Sequence, residues 1–426
     1  MSRVIELGEL RHGDEPEPPA PRPRRRPTTS ARLVALCCAA LLTLTGGTPM
    51  PRQLSGVPVP AVRDAIFLVV GDRLVVADRP GTVGDGGRPV RGYGLPSAAP
   101  LWQFTLPVGD EVVGMITASG LLLVTSSPDG SDVRTTALDP RTGAERWRQP
   151  GSPTPTQAGG VLLDHYARDP GVIRSVDPAS GAVRWSLPLP QRGMTYRFEE
   201  RGVTAAVLLT DDGRVEEYDV DSGALRRSGR LAPAADPVSY GTVQVLGDLL
   251  LVDDAAGTVT AYGLDRLDRR WTLPVRWDGT TWFANCVVVI CQWEQGRLRT
   301  YDPATGRPRW SDDHWVGTGR IGDRLVAVAS TDGLAVEVAV LDPGTGRILA
   351  ELGRWRQTGG NGDGPLPLGL RPVAGDRTLL AELDLLAGQV RYRAVVPGSW
   401  GDCAAAADAV VCMGQSGGLM VWPTGS

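Results

Sequence analysis

The stretch Ala137–Trp147, ALDPRTGAERW, decides the reading of the chain because it keeps returning. It recurs as SVDPASGAVRW (Ser175–Trp185), EYDVDSGALRR (Glu217–Arg227), TYDPATGRPRW (Thr300–Trp310) and VLDPGTGRILA (Val340–Ala350). A looser copy, AYGLDRLDRRW, closes on Trp271, and a degenerate one closes on Trp102. The closing positions 102, 147, 185, 227, 271, 310 and 350 lie 38 to 45 residues apart. A steady period near forty marks a tandem repeat whose units cannot bury their apolar faces alone.

Each unit reads as four short strands. Before and through Trp147 these are VVGMIT, LLLVTSS, VRTTALD and ERWRQ, rich in Val, Leu and Thr and parted by Gly, Asp or Pro turns. No helical periodicity of ten or more residues follows Pro51. Four-stranded units of this length imply an all-β fold of radial blades. The recurring Asp-x-x-Ser/Thr-Gly has a mechanical purpose. Asp and Ser/Thr side chains bond turn amides, and Gly takes the positive φ that closes the turn. Four residues after the Gly, Trp falls on the outer strand, where its face wedges between neighbouring blades. The sets Asp139, Thr142, Gly143, Trp147; Asp177, Ser180, Gly181, Trp185; and Asp302, Thr305, Gly306, Trp310 are therefore read as structural, with Trp102 and Trp271 as further docking residues.

On these three sets the chain resembles the pyrrolo-quinoline quinone (PQQ) type β-propeller repeat family, over residues 61–426. The resemblance implies a β-propeller in which a column of Trp docks successive blades. Arg227 and Ala350 depart from that column, so looser junctions are expected there. Residues 61–426 hold about 8.9 periods of about 41 residues, and part of the excess is loop, notably Gly359–Pro367. Eight blades are expected, with seven as the alternative. The hairpin Thr378–Val396 reads as lacking an outer strand. The final segment, Ala409–Trp422, offers inner strands only, a gap that pairing with an N-terminal strand would close.

The chain ahead of the repeats has a different composition. Residues 1–32 carry seven Arg, five acids and a Pro-rich run, which predicts a disordered tail. Residues 33–50 (LVALCCAALLTLTGGTPM) hold no charge, the short end of a bilayer span. Five Arg, at 22, 24, 25, 26 and 32, lie just before them and keep the N-terminus cytoplasmic. The reading is a single-pass transmembrane helix acting as signal anchor, a linker at 51–60 and an extracytoplasmic propeller at 61–426. The alternative is a cleaved signal peptide and a secreted domain, although the basic region is long and no A-x-A site follows.

Composition removes several functions. Net charge is −4, without the basic footprint of a nucleic-acid binder. The chain has no Lys, which removes Schiff-base, P-loop and kinase lysine chemistry. His12, His165 and His314 are scattered, and acidic pairs such as Asp253-Asp254 fall at turns. Quinoprotein dehydrogenases, one branch implied by the resemblance, carry a vicinal Cys pair over the quinone and acidic and Asn metal ligands. Here the adjacent pair Cys37-Cys38 lies in the apolar span, and Asn285 and Asn361 sit in no ligand motif. No catalytic residue, cofactor or metal ligand is expected.

Four cysteines remain, an even number suited to disulfides in an exported domain. Cys403 and Cys412 are symmetric about Ala407-Asp408, so a two-residue hairpin sets them opposite each other. Cys286 and Cys291 flank VVVI; about 17 Å apart in a straight strand, they bond only if the chain bends. The functional expectation is a non-catalytic scaffold or sensor for an envelope protein, peptide or small ligand, bound on loops over a rigid ring. The alternatives are a PQQ-dependent dehydrogenase-like enzyme and an envelope assembly scaffold.

Overall fold

The second strands of the repeats are continuous apolar runs, and the reason is burial on both faces. Leu121–Ser127 is buried along all but its first residue, and Leu249–Asp253 along its whole length. The outermost strands, such as Val183–Pro188 and Leu225–Arg230, are mostly exposed. A stack of sheets packed face to face produces this gradient from inner to outer strand.

The computed structural model describes residues 54–63, 65–78, 87–128, 132–166, 171–190, 193–199, 202–231, 243–253, 257–275, 281–294, 296–330, 335–357, 367–406, 408–414 and 417–424. Residues 51–426 make one unit; residues 1–50, with the expected tail, span and Cys37-Cys38, lie outside the described residues. Among the described residues no helix is long and apolar enough to cross a membrane.

The fold is an all-β propeller of antiparallel sheets. Among the described residues the strands pair into seven four-stranded sheets and one seven-stranded sheet. The seven-stranded sheet is two blades joined end to end. Its ten-residue strand Ile348–Gln357 pairs with Val336–Leu341 through Trp355 and with Leu368–Val373 through Arg356 and Gln357. Counted in both, it completes two four-stranded units, so the strands of the described residues form nine blades, numbered in chain order with strands within 66–105, 111–150, 152–188, 193–230, 243–273, 281–312, 317–355, 356–397 and, for the ninth, 400–423 with 57–59. Nine hydrophobic clusters agree, each spanning one pair of neighbouring units from first to second and so round to ninth and first. The expectation of eight blades, or seven, is therefore corrected. The hairpin Thr378–Val396 is also corrected, because its second strand, Gln389–Pro397, is itself the outermost strand of the eighth blade.

The ring closes through its N-terminal strand. Val57–Val59, within the segment read as linker, pairs antiparallel with Leu419–Pro423 through Val57↔Val421, Pro58↔Met420 and Val59↔Leu419. It is the fourth strand of the ninth blade, whose other three are the last strands of the chain.

Candidate functional site

The repeat motif builds a turn and a blade junction. In the second blade Asp139 Oδ1 accepts from the Arg141 amide at 2.8 Å, and Thr142 Oγ1 from the Ala144 amide at 3.3 Å. In the third, Asp177 Oδ1 accepts from the Ala179 and Ser180 amides and the Ser180 hydroxyl, while Oδ2 pairs with Arg184 at 2.6 Å. Asp302 does the same with Ala304, Thr305 and Arg309. The Arg184 bond, helped by Ser180, holds the Asp177 carboxyl down to about 2. Arg146 and Arg309 act likewise on Asp139 and Asp302. These carboxylates are fully engaged in their own turns.

Gly143 has φ +70°, and a Cβ there would fall 2.5 Å from the Trp102 ring, so only glycine fits. Gly181, Gly306 and Gly346 meet Trp147, Trp271 and Trp310 in the same way. Each indole then reaches into the next blade's turn. Trp102, Trp147, Trp271 and Trp310 donate from Nε1 to the carbonyls of Pro140, Pro178, Pro303 and Pro343 at 2.7–3.1 Å. Trp185 stacks on Gly223, and its Nε1 is buried without a hydrogen-bond partner.

One junction replaces both halves of this device. Between the fourth and fifth blades Arg227 stands where five other junctions have Trp, and Leu267 where those five have Gly. Arg227 Nη1 donates to the Leu264 carbonyl at 2.9 Å, and its Nε lies 3.3 Å from the buried Glu217 carboxylate. The looser junction expected at Arg227 is thus bridged by a guanidinium with a buried counter-charge. Leu267 adopts φ +55° and packs so close to Gly229 that a Cβ there would lie 2.6 Å from its Cδ1. At the other departure, the methyl of Ala350 would meet a Cβ at Gly388 at 2.6 Å, so the small side chain lets the turn close in.

A half-open groove of about 590 Å³ lies over the Arg227 junction. The fourth blade contributes Arg197 and Arg227, the fifth Leu246–Leu249, Gly263–Asp265 and Arg270, and the sixth Asn285, Val287 and Ile290. Arg197 pairs with Asp248 at 2.9 Å, and Arg270 with Asp268 at 3.0 Å and Asp265 at 3.6 Å. Sequence reasoning missed this groove, although the fifth copy, GLDRL, carried a signal in lacking both the Asp and the Gly of the motif.

The four cysteines form two disulfides, Cys286–Cys291 and Cys403–Cys412. Cys403 and Cys412 are direct cross-strand partners, and Ala406 N donates to Ala409 O across the turn. Between Cys286 and Cys291 the chain bends at Val287-Val288, so VVVI is not one strand. Cys286 faces Val289 and Cys291 faces Ala284, which makes the bridge a diagonal one. Each disulfide ties the first two strands of a blade. His165 is buried, with Nε2 3.2 Å from Asp132, and His314 Nε2 is 3.6 Å from Glu337. Among the described residues no three His, Cys, Asp or Glu side chains group as a metal site.

Comparison with known proteins gives a family and structural likenesses. The sequence matches the PQQ-type repeat family described as outer membrane protein assembly factor BamB, in overlapping windows at 85–235, 130–283 and 169–335. No curated protein matches it. The crystal structure of BamB from Moraxella catarrhalis is 16% identical, covers 88% of this chain and 100% of its own, and has a TM-score of 0.43. The computationally designed Ika8 protein is 14% identical, covers 87% of this chain and 99% of its own, with a TM-score of 0.42.

Proposed function

Because this chain belongs to the PQQ-type β-propeller repeat family, we propose that it is a non-catalytic protein-binding propeller of the cell envelope. In this reading the uncharged stretch at 33–50 tethers it to the membrane, with the propeller outside the cytoplasm. The observation that carries the reading is the division of labour among the repeats. Motif carboxylates and indoles are engaged in turns and junctions, while the junction at which Arg227 and Leu267 replace both the Trp and the Gly opens a groove instead. A place where a local rule kept by most repeats is broken is where function is sought. The family's description as an assembly factor favours a protein partner over a small substrate.

The test has two arms. Native mass spectrometry of the full chain in detergent, with and without PQQ and Ca²⁺, is expected to show no stoichiometric uptake. In-cell crosslinking is expected to recover one envelope protein in stable ratio. Uptake of the quinone with turnover of an alcohol or aldose would replace the scaffold reading with the dehydrogenase one.

A further inference from the structure

We propose that the groove over the fourth, fifth and sixth blades binds a carboxylate-bearing, extended acidic peptide segment of a partner, an assignment that rests on the protein-binding reading above. Its volume lies within the range of ligand-binding clefts, about 300–1,000 Å³.

This junction departs from the charge pattern of its own repeat in two places. In five other turns the Arg seven residues after the turn Asp is held by that Asp: Arg146 by Asp139, Arg184 by Asp177, Arg226 by Asp219, Arg309 by Asp302 and Arg391 by Asp384. Those carboxylates are sheltered, 13–32% exposed, and fixed by turn amides. In the fifth blade the Asp position is Gly263, so Arg270 has lost that fixed partner. Arg227 adds a second guanidinium where five other junctions carry an indole. Glu217, across the sheet from Arg227 and 3% exposed, neutralises one of these two changes. The other is met only by acids at the rim.

Those acids are exchangeable. Asp248 and Glu199, the partners of Arg197, are 91% and 48% exposed, and Asp265 and Asp268, the partners of Arg270, are 57% and 46% exposed. The guanidiniums are less exposed, Arg197 at 28% and Arg270 at 40%. Solvated ion pairs of this kind contribute little, so an incoming carboxylate can displace the rim acids and take the guanidinium forks in two-point contact. Leu246, Val287 and Ile290 supply apolar wall beside the charges, and Asn285 adds an amide able to bond a peptide group. An extended acidic segment with apolar neighbours fits this alternation. Val287, which lines the groove, at φ +69°, and Leu267, in the turn of the same junction, at φ +55°, hold backbone conformations that side chains of their kind rarely adopt.

The test titrates full chain with a fluorescent, end-blocked octapeptide carrying two glutamates among leucines and serines. Its all-glutamine counterpart and free glutarate serve as controls. The glutamate peptide is expected to bind and the glutamine peptide to bind at least tenfold more weakly. Arg270→Gln and Arg197→Gln are each expected to weaken the glutamate peptide at least tenfold with unchanged melting, and Asp248→Asn to tighten it. The combination Glu217→Ala, Arg227→Trp and Leu267→Gly rebuilds the junction found elsewhere in the ring. It is expected to melt no lower than the wild type and to lose the peptide. Equal binding of the two peptides, or binding indifferent to both Arg substitutions, overturns the proposal. Glutarate competing as well as the peptide overturns the peptide as occupant. If the crosslinked partner is still recovered while the peptide fails, the groove assignment falls and the binding role stands. If neither is found, both fall.

Discussion

The phenol of Tyr196, on the innermost strand of the fourth blade, donates to the carboxylate of Asp164, on the second strand of the third. Burial pushes the Asp164 carboxyl up to about 6, and the phenol offsets only part of that rise. The folded protein therefore holds this proton more tightly than the unfolded chain, whose carboxyl titrates near 4. The contribution to stability is complete below about pH 4 and is lost as pH rises through about 6. Asp164→Asn keeps an acceptor for Tyr196 and removes the titration. It is expected to stabilise the propeller on the order of 1–3 kcal/mol at pH 7.5 and to change little at pH 4. Urea midpoints at the two pH values check this, and a gap that does not widen with pH assigns the loss to another group.

Two kinds of blade junction predict two kinds of mutational response. Trp147 is 6% exposed and bonds the Pro178 carbonyl, so Trp147→Ala leaves a cavity and should cost about 3–5 kcal/mol. Arg227→Ala removes less volume but strands the buried Glu217 carboxylate, for about 2 kcal/mol or more. Adding Glu217→Ala should recover part of that loss, whereas a second truncation beside Trp147→Ala should recover nothing. A double-mutant cycle in denaturant measures the difference.

The contrast shows what the sequence displayed and what it concealed. The propeller was legible because Asp, Gly and Trp recur at fixed offsets and each acts locally, through a turn bond, a positive φ or an indole stacked on the next turn. The ninth blade was not legible. The eighth borrows its first strand from the end of Ile348–Gln357, and Ala350 interrupts the Trp column used to count. The bend at Val287-Val288 carried no Gly, Asn or Pro, and it is fixed by pairing on both sides, from Thr281↔Glu294 to Cys286↔Val289. The groove draws on three blades, so no local pattern announced it beyond the missing Asp and Gly of the fifth copy.

Both disulfides close short loops, with partners five and nine residues apart in sequence. Short loops restrict the unfolded chain less than long ones, so each bridge is expected to contribute about 2–3 kcal/mol or less. Peptide mapping after alkylation without reductant should leave the peptides of Cys286, Cys291, Cys403 and Cys412 unmodified, with all four labelled after reduction. Labelling of either pair before reduction removes that bridge. Cys403→Ser with Cys412→Ser should lower the urea midpoint while keeping the strand content seen by circular dichroism.

Ring closure rests on a short contact. Three residue pairs join Val57–Val59 to Leu419–Pro423, and the contact matters because Val59 and Val421 are almost fully buried in the cluster shared by the ninth and first blades. Deleting residues 54–60 leaves Leu419–Pro423 as an unpaired apolar edge, a template for strand addition by another chain. The truncated chain is expected to lose several kcal/mol and to self-associate on size exclusion. Val59→Asp tests the same contact with the chain length intact, by placing a carboxylate in an apolar cluster. It should also self-associate, whereas Val57→Thr, at a half-buried position, should stay monodisperse. If Val59→Asp melts and elutes like the wild type, the N-terminal strand does not hold the ring closed, and the fourth strand of the ninth blade is dispensable.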